Sequence, residues 1–249
     1  IFEINDKQYQ LLLAEDLYQQ TLKAEVSNAD KTCNNSKITK QLLKSYTRHL
    51  CTLANNTTIF DDITETKNIK KIKKYIRALN KLCIIHDVES WSPNIKSKFS
   101  IRLHDKRNFT DPSIAVAIME KTPEYLIKNP QVFGFLFESL VIRDLRVYGG
   151  LNNDIYFYRD RDGLECDAIL ELKDGRYALI EAKLGGPSVF DGVKNLQSIE
   201  ELIIKYNKNE KNKNKLLPLP SLKIVITAEE KGYNMGNNTF VIPLGCLKD

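Results

Sequence analysis

The sequence has no apolar run that approaches the ~18–20 residues a membrane helix needs. The longest, around residues 132–147, is interrupted by Glu138, Arg143, Asp144 and Arg146. No stretch reads as a signal peptide, so a soluble, cytoplasmic chain is expected. Histidine is scarce: His49, His86 and His104 are the three, and none stands at metal-ligand spacing to another. The five cysteines (Cys33, Cys51, Cys83, Cys166, Cys246) are scattered and form no C-x-x-C pair. An odd, unpatterned set argues against a disulfide framework or a zinc ribbon and for reduced thiols. Strong charge of one sign is also lacking. Lys and Arg number 37 against 32 Asp and Glu, a net +5, too slight to name a nucleic-acid partner by itself. The chain is rich in Lys, Asn and Ile together, a pattern that base composition alone produces, so where the charges lie matters more than their sum.

What is present suffices for two modest cores: 249 residues, 42% of them apolar, where domains run ~100–200 residues. The chain opens on Ile1 rather than methionine and is expected to be a piece of a longer protein. Helical spacing of Leu11, Leu12, Tyr18 and Leu22 predicts a helix over 8–26, and Leu42, Leu43, Tyr46 and Leu50 predict another over 38–53. Thr58 is a candidate cap for a short helix over 59–63. Ile69, Ile72, Ile76, Leu79 and Cys83 then recur as one apolar stripe. Lys67, Lys70, Lys71, Lys74, Arg77 and Lys81 lie opposite, and Thr66 is the expected cap. Strand-like runs over 84–91 and 99–109, with a turn at Ser97–Lys98, follow. Helix, short helix, basic helix and ribbon is the order of a winged helix-turn-helix, whose last helix can enter a DNA groove. The bland alternative is a solvated basic face, and winged modules also serve as protein adaptors.

Asp111-Pro112 opens a short helix over 113–120, and Thr122-Pro123 and Asn129-Pro130 mark turns. A boundary near Pro130 gives residues 1–130 as a helical, winged-helix-like domain and 131–249 as a second domain. The second begins with a buried helix over 131–148 that Gly149-Gly150 ends. Strands over 154–159, 164–172 and 177–183 follow. Next come a helix over 188–206 capped by Ser188, a Lys/Asn-rich loop over 207–215, a strand over 222–228 and a short one over 239–243. The fold class is α+β, with an αβββαβ order in the second half.

Metal-dependent phosphodiester cleavage needs convergent carboxylates and a cation that orients water or stabilises developing charge. Glu181 and Lys183, two apart on a strand, share a face. Asp167 shares it only if the hairpin loop holds three residues, Lys173-Asp174-Gly175, which pairs Leu172 with Arg176 and Asp167 with Glu181. Such a loop wants glycine at its left-handed last position, and Gly175 stands there. Hard oxygen donors favour magnesium or manganese, with the Ala182 carbonyl as a further ligand. Glu138, a lone carboxylate in the apolar run FLFESLVI, is the fourth candidate. Gln197, on the following helix, is placed to contact a phosphate. E-x-K alone is a weak signal; ordinary residues on a polar strand face produce it too.

These residues in this order resemble nucleases of the PD-(D/E)XK superfamily. The runs GFLFESLVIRDLRVYGG, YFYRDRDGLECDAILEL and YALIEAKLGG also resemble the C-terminal domain, catalogued as one of unknown function, of a large group of bacterial and archaeal AAA-type ATPases. The resemblance extends upstream through SYTRHLCTLANNTTI and KRNFTDPSIA and covers about Ile38 to Gly186. It implies an N-terminal P-loop ATPase, a winged-helix segment and a restriction-endonuclease-like domain. No G-x-x-x-x-G-K-[ST] occurs, so the ATPase is expected outside this chain and no ATP site is expected within it. The superfamily's roles fall on Asp167, Glu181 and Lys183, with Glu138 as the helix acid. Cys166 stands where the superfamily name has proline.

The expected function is a magnesium- or manganese-dependent DNA endonuclease-like module of that ATPase. Lys183, Glu181 and Asp167 would carry the chemistry, and Asp167, Glu181, Ala182 and Glu138 would hold the metal. Lys67, Lys70, Lys71, Lys74, Arg77, Gln197 and the loop over 205–215 would contact DNA. The rival is a non-catalytic module that recognises nucleic acid or a protein partner and directs the ATPase. A toxin-like or defence ATPase whose C-terminal part docks a protein partner is a third alternative.

Overall fold

The computed structural model describes residues 7–22, 26–91, 104–149 and 154–247. The expected turn at Ser97–Lys98, residues 99–103 of the strand over 99–109, and Gly150 lie outside the described residues. The chain forms two compact units. Residues 1–87 and 105–139 make the first, and 88–104 and 140–249 the second. Two crossings between units thus fall at the ends of an inserted segment and one falls inside a helix, where a single boundary at Pro130 was expected.

The first unit is helical. Helices α1 (Lys7–Gln20), α2 (Val26–Ala29), α3 (Ser36–Arg48), α4 (Asn56–Asp61), α5 (Ile69–Lys81), α6 (Pro112–Met119) and α7 (Pro123–Lys128) belong to it. So does the start of α8 (Pro130–Gly149). Ile38, Leu42, Leu43, Tyr46, Ile59, Ile63, Ile72, Tyr75, Leu79 and Phe109 are buried together as its core residues. Asparagines cap where hydroxyls were expected. Asn55 accepts from Thr58 N ahead of α4, and Asn68 accepts from Lys71 N ahead of α5. Thr66 instead accepts from Asn68 N, because α5 begins later than its cationic run does. Thr122-Pro123 and Asp111-Pro112 are also helix starts, with the hydroxyl or carboxylate as cap and proline in the first turn.

The apolar side of α5 is turned from the expected stripe. Ile72, Tyr75, Ala78 and Leu79 are buried, while Ile69 is 51% exposed. At ~100° per residue this brings Lys70, Lys73 and Arg77 to the centre of the outer face. The ribbon after α5 is short among the described residues. Ile85 pairs with Phe109, His86 N donates to Asn108 O, and Thr110 N donates to Ile84 O. The end of the expected first ribbon strand does something else: Glu89–Ser90 forms β1 of the second unit's sheet. Trp91 follows it, with Nε1 donating to Glu171 at 2.8 Å and its ring against Tyr177.

The second unit's described residues carry a seven-stranded mixed sheet in the order β1-β2-β3-β4-β5-β7-β6. The remaining strands are β2 (Asp154–Arg159), β3 (Glu165–Glu171), β4 (Tyr177–Lys183), β5 (Leu222–Thr227), β6 (Tyr233–Gly236) and β7 (Thr239–Pro243). Strand β6 was not expected; all four of its residues are exposed, so no burial pattern marks it in the sequence. Helix α9 (Pro187–Asn209) joins the parallel strands β4 and β5, as a crossover must. It packs on those strands and on β3, burying Val189, Val193, Leu196, Ile199 and Ile203 with Ile169, Leu179, Val225 and Val241. Gly186, at φ +64, precedes it as a cap without a side-chain bond. Ser188, the expected cap, instead donates its hydroxyl to Gly185 O at 2.8 Å. Among the described residues no helix is long and apolar enough to cross a membrane.

Candidate functional site

The β3–β4 hairpin has the expected loop. Leu172 N donates to Arg176 O at 2.8 Å, Gly175 N to Leu172 O at 2.9 Å, and Gly175 adopts φ +85. The ladder runs from Glu171 opposite Tyr177 to Ala168 opposite Ile180. Continuing the same register sets Asp167 against Glu181. There the backbone ladder gives way to a side chain, for Ala182 N donates to Asp167 Oδ2 at 2.9 Å. A residue's N–H and C=O point to the same neighbour in an antiparallel ladder, so the Ala182 carbonyl also faces the β3 side of β4.

Lys183 joins the two carboxylates. Its Nζ lies 2.5 Å from Glu181 Oε2 and 3.7 Å from Asp167 Oδ2. By strand parity Tyr177, Leu179, Glu181 and Lys183 share the face that α9 covers. The apolar half of that row fills the core and the charged half ends it. Glu181 is 2% exposed, whereas the Lys183 side chain is 27% exposed. The site therefore opens outward at Lys183 and closes inward at Glu181. Burial pushes the Glu181 carboxyl well up, and the negative charge of Asp167 pushes it further; Lys183 and Asn195 pull it back.

Helix α9 contributes two residues that carried no expectation. Asn195 Nδ2 donates to Glu181 Oε1 at 2.6 Å and also to Glu165 O, so one amide ties α9 to both strands. Gly192 lies against Lys183: a Cβ built there would stand 3.2 Å from Lys183 Cγ and 3.3 Å from Cε. The lysine stem occupies the space a larger side chain would take. Gly192 belongs to the sheet-facing stripe with Val189, Val193, Leu196 and Ile199, and the half-buried Asn195 flanks it. A polar residue beside an apolar stripe was the signal available in the sequence, one that Glu200, which pairs with Lys223, gives as well. Gln197 stands two residues on, about 200° around the helix from Asn195, so the α9 side chain that reaches Glu181 is Asn195.

Glu138 has a partner in the first unit. Its Oε1 accepts from Lys106 Nζ at 2.8 Å, and Lys106 is 1% exposed. This pairing accounts for a carboxylate in an apolar helix without invoking a metal. Next to it, Arg107 donates to Ala54 O, Asn56 Oδ1, Asp87 Oδ2 and Tyr46 Oη, and Ser139 Oγ donates to Asn108 Oδ1 at 2.6 Å. The segment Lys106–Asn108 is thus a buried polar strap. Of the expected DNA contacts, Lys70 and Arg77 are exposed and Lys71 half-buried. Lys67 donates to Ile63 O at 3.2 Å and Lys74 to Thr32 Oγ1 at 3.4 Å.

Among the described residues no group of three or more His, Cys, Asp or Glu side chains is gathered to hold a metal ion. Two carboxylates on adjacent strands, with a backbone carbonyl on the same side, nevertheless form an all-oxygen donor set of the kind that suits magnesium or manganese completed by water.

Residues 2–125 match the family described as a domain of unknown function, DUF8612, and residues 133–247 match a second domain of unknown function, DUF4143. No curated protein and no solved structure matches the chain. The two halves are each similar to a separate uncharacterised domain, and the matches leave residues 126–132 between them.

Proposed function

We propose that the second unit is a metal-dependent nuclease-like module acting on DNA, of the PD-(D/E)XK type, and that it serves an AAA-type ATPase domain of the same full-length protein. The observation that carries this reading is the Asp167–Glu181–Lys183 cluster. Two carboxylates from adjacent strands share one lysine at the end of a sheet face whose remainder is core. Asp167, Glu181 and the Ala182 carbonyl would hold magnesium or manganese. The ion, when bound, supplies Lewis-acid stabilisation of charge growing on phosphate and a more acidic water. Lys183 contributes a positive charge at the open end of the cluster, where it orients a water or stabilises phosphate oxygens. Asn195 holds the Glu181 carboxylate in one orientation from α9, and Ala182 N does the same for Asp167.

The test is nicking of supercoiled plasmid by the chain with magnesium or manganese. Wild type is expected to nick, and chelation or Asp167→Asn to stop it. Equal nicking by Asp167→Asn would sink the reading. One observation favours the non-catalytic alternative, a recognition module that directs the ATPase. Lys183 already pairs with both carboxylates, so the cluster is satisfied as an ion-pair network of structural kind. Nucleic-acid or protein binding with no divalent-cation dependence and no cleavage would select that alternative.

A further inference from the structure

Charge in this molecule is segregated. Helix α5 carries six cations (Lys70, Lys71, Lys73, Lys74, Arg77, Lys81) and no carboxylate in 13 residues. The whole chain is only +5, so everything outside α5 sums to 5 − 6 = −1. Four of these cations, Lys70, Lys73, Lys74 and Arg77, line a groove of about 440 Å³ with Asn56 and Ile76. Asp30 lies near Lys74 and Arg77 and offsets part of their charge, but its carboxylate also accepts from Thr32 N and Oγ1.

The lining is mostly the apolar stems of these side chains and Ile76, and Asn56 adds a fixed amide. Asn56 Oδ1 accepts from Arg107 Nη2 at 2.8 Å. Arginine offers only donors, so this bond decides which end of the amide is oxygen. The Asn56 nitrogen, a donor, is the end turned away from Arg107, and Asn56 itself is exposed. Donors and cations alone suit an anion. The cations run from Lys70 to Lys81, about 16 Å along the helix, which is longer than a single phosphate group and fits a chain of them.

The same helix is poor in the chemistry that reads bases. Apart from an arginine or lysine on guanine, base edges are read by Asn, Gln, Ser, Thr or an acidic side chain. Besides Arg77, α5 offers only Asn80, and Asn80 Nδ2 is spent on Ile76 O at 3.1 Å. Lysines bind phosphate as point charges. We propose that α5 and its groove form a backbone-tracking strip that holds nucleic-acid phosphates without reading sequence, rather than a major-groove recognition helix. This rests on the reading that the chain handles nucleic acid, but not on cleavage.

The experiment is binding of two duplexes of unrelated sequence to the full chain, in chelator, across a salt series. Wild type is expected to bind both equally. Lys70→Ala with Lys73→Ala should weaken both by about tenfold and lower the salt slope by about 2. Asn56→Asp keeps the acceptor for Arg107 and so the fold, but puts an anion in the groove; it should weaken both duplexes by severalfold. Discrimination of the duplexes by more than about tenfold that α5 variants abolish would overturn the proposal in favour of base readout. Unchanged binding in the α5 variants, or no binding by wild type, would also overturn it. So would α5-dependent binding to phosphatidylserine vesicles with none to DNA. If the binding pattern holds and no variant or wild type ever cleaves DNA, the nuclease reading fails and this one stands.

Discussion

Both units bury a cation against carboxylate, and the two arrangements differ in one respect. In the first, Arg107 is 6% exposed and donates to Ala54 O, Asn56, Asp87 and Tyr46. Burial pushes the Asp87 carboxyl up, and Arg107, Asn108 and Tyr46 push it down. In the second, Glu181 is pushed up by burial and again by Asp167, a like charge held beside it. Buried charge alone therefore does not mark chemistry. We read a cluster in which the fold sets one carboxylate against another as the candidate for chemistry, because a bound cation would relieve repulsion beyond what Lys183 already offsets.

The contrast can be broken at its balanced end first. Arg107→Leu leaves Asp87 buried without its cation and should cost about 3–5 kcal/mol, read by chemical denaturation. Adding Asp87→Leu should recover part of that loss; no recovery would mean that the node acts through Tyr46 and Asn56 instead. At the other end, Lys183→Ala should lower the cleavage rate by on the order of 100-fold or more with the protein still folded by circular dichroism. A variant that cleaves normally would remove Lys183 from the mechanism.

Much of the site was legible because strand chemistry is local. The two-residue spacing of Glu181 and Lys183, with Gly175 at a left-handed turn position, determined which face each side chain takes. Strand β4 and the start of α8 followed from composition and punctuation in the same way. Tertiary contacts were not legible. That Lys106 takes up Glu138, and that Asn195 rather than Gln197 reaches Glu181, depends on side chains 32 and 14 residues apart in sequence. The turn of α5 was lost for a related reason. Tyr75 and Ala78, outside the expected stripe, are buried, and their burial turns the exposed face toward Lys73. Strand β1, two residues paired to β2, has no periodicity to read.

Two smaller effects sharpen the comparison. The Glu181 carboxyl is raised from its ordinary 4.5 to about 8. Between those values the folded state holds a proton that the unfolded state has released, so stability falls as pH rises through that window. Glu181→Gln should flatten this slope in thermal melts from about pH 5 to about pH 8; an unchanged slope would place its origin elsewhere. Gly175→Ala forces a side chain into φ +85 and should cost about 1 kcal/mol. No loss would show that the hairpin register does not depend on this turn.

The most direct test of the central claim is calorimetric titration of manganese into wild type and Asp167→Ala, each with and without a non-cleavable DNA duplex. Binding by wild type that disappears in Asp167→Ala is the predicted result. Identical titrations for the two proteins, or no binding by either even with the duplex present, would contradict it.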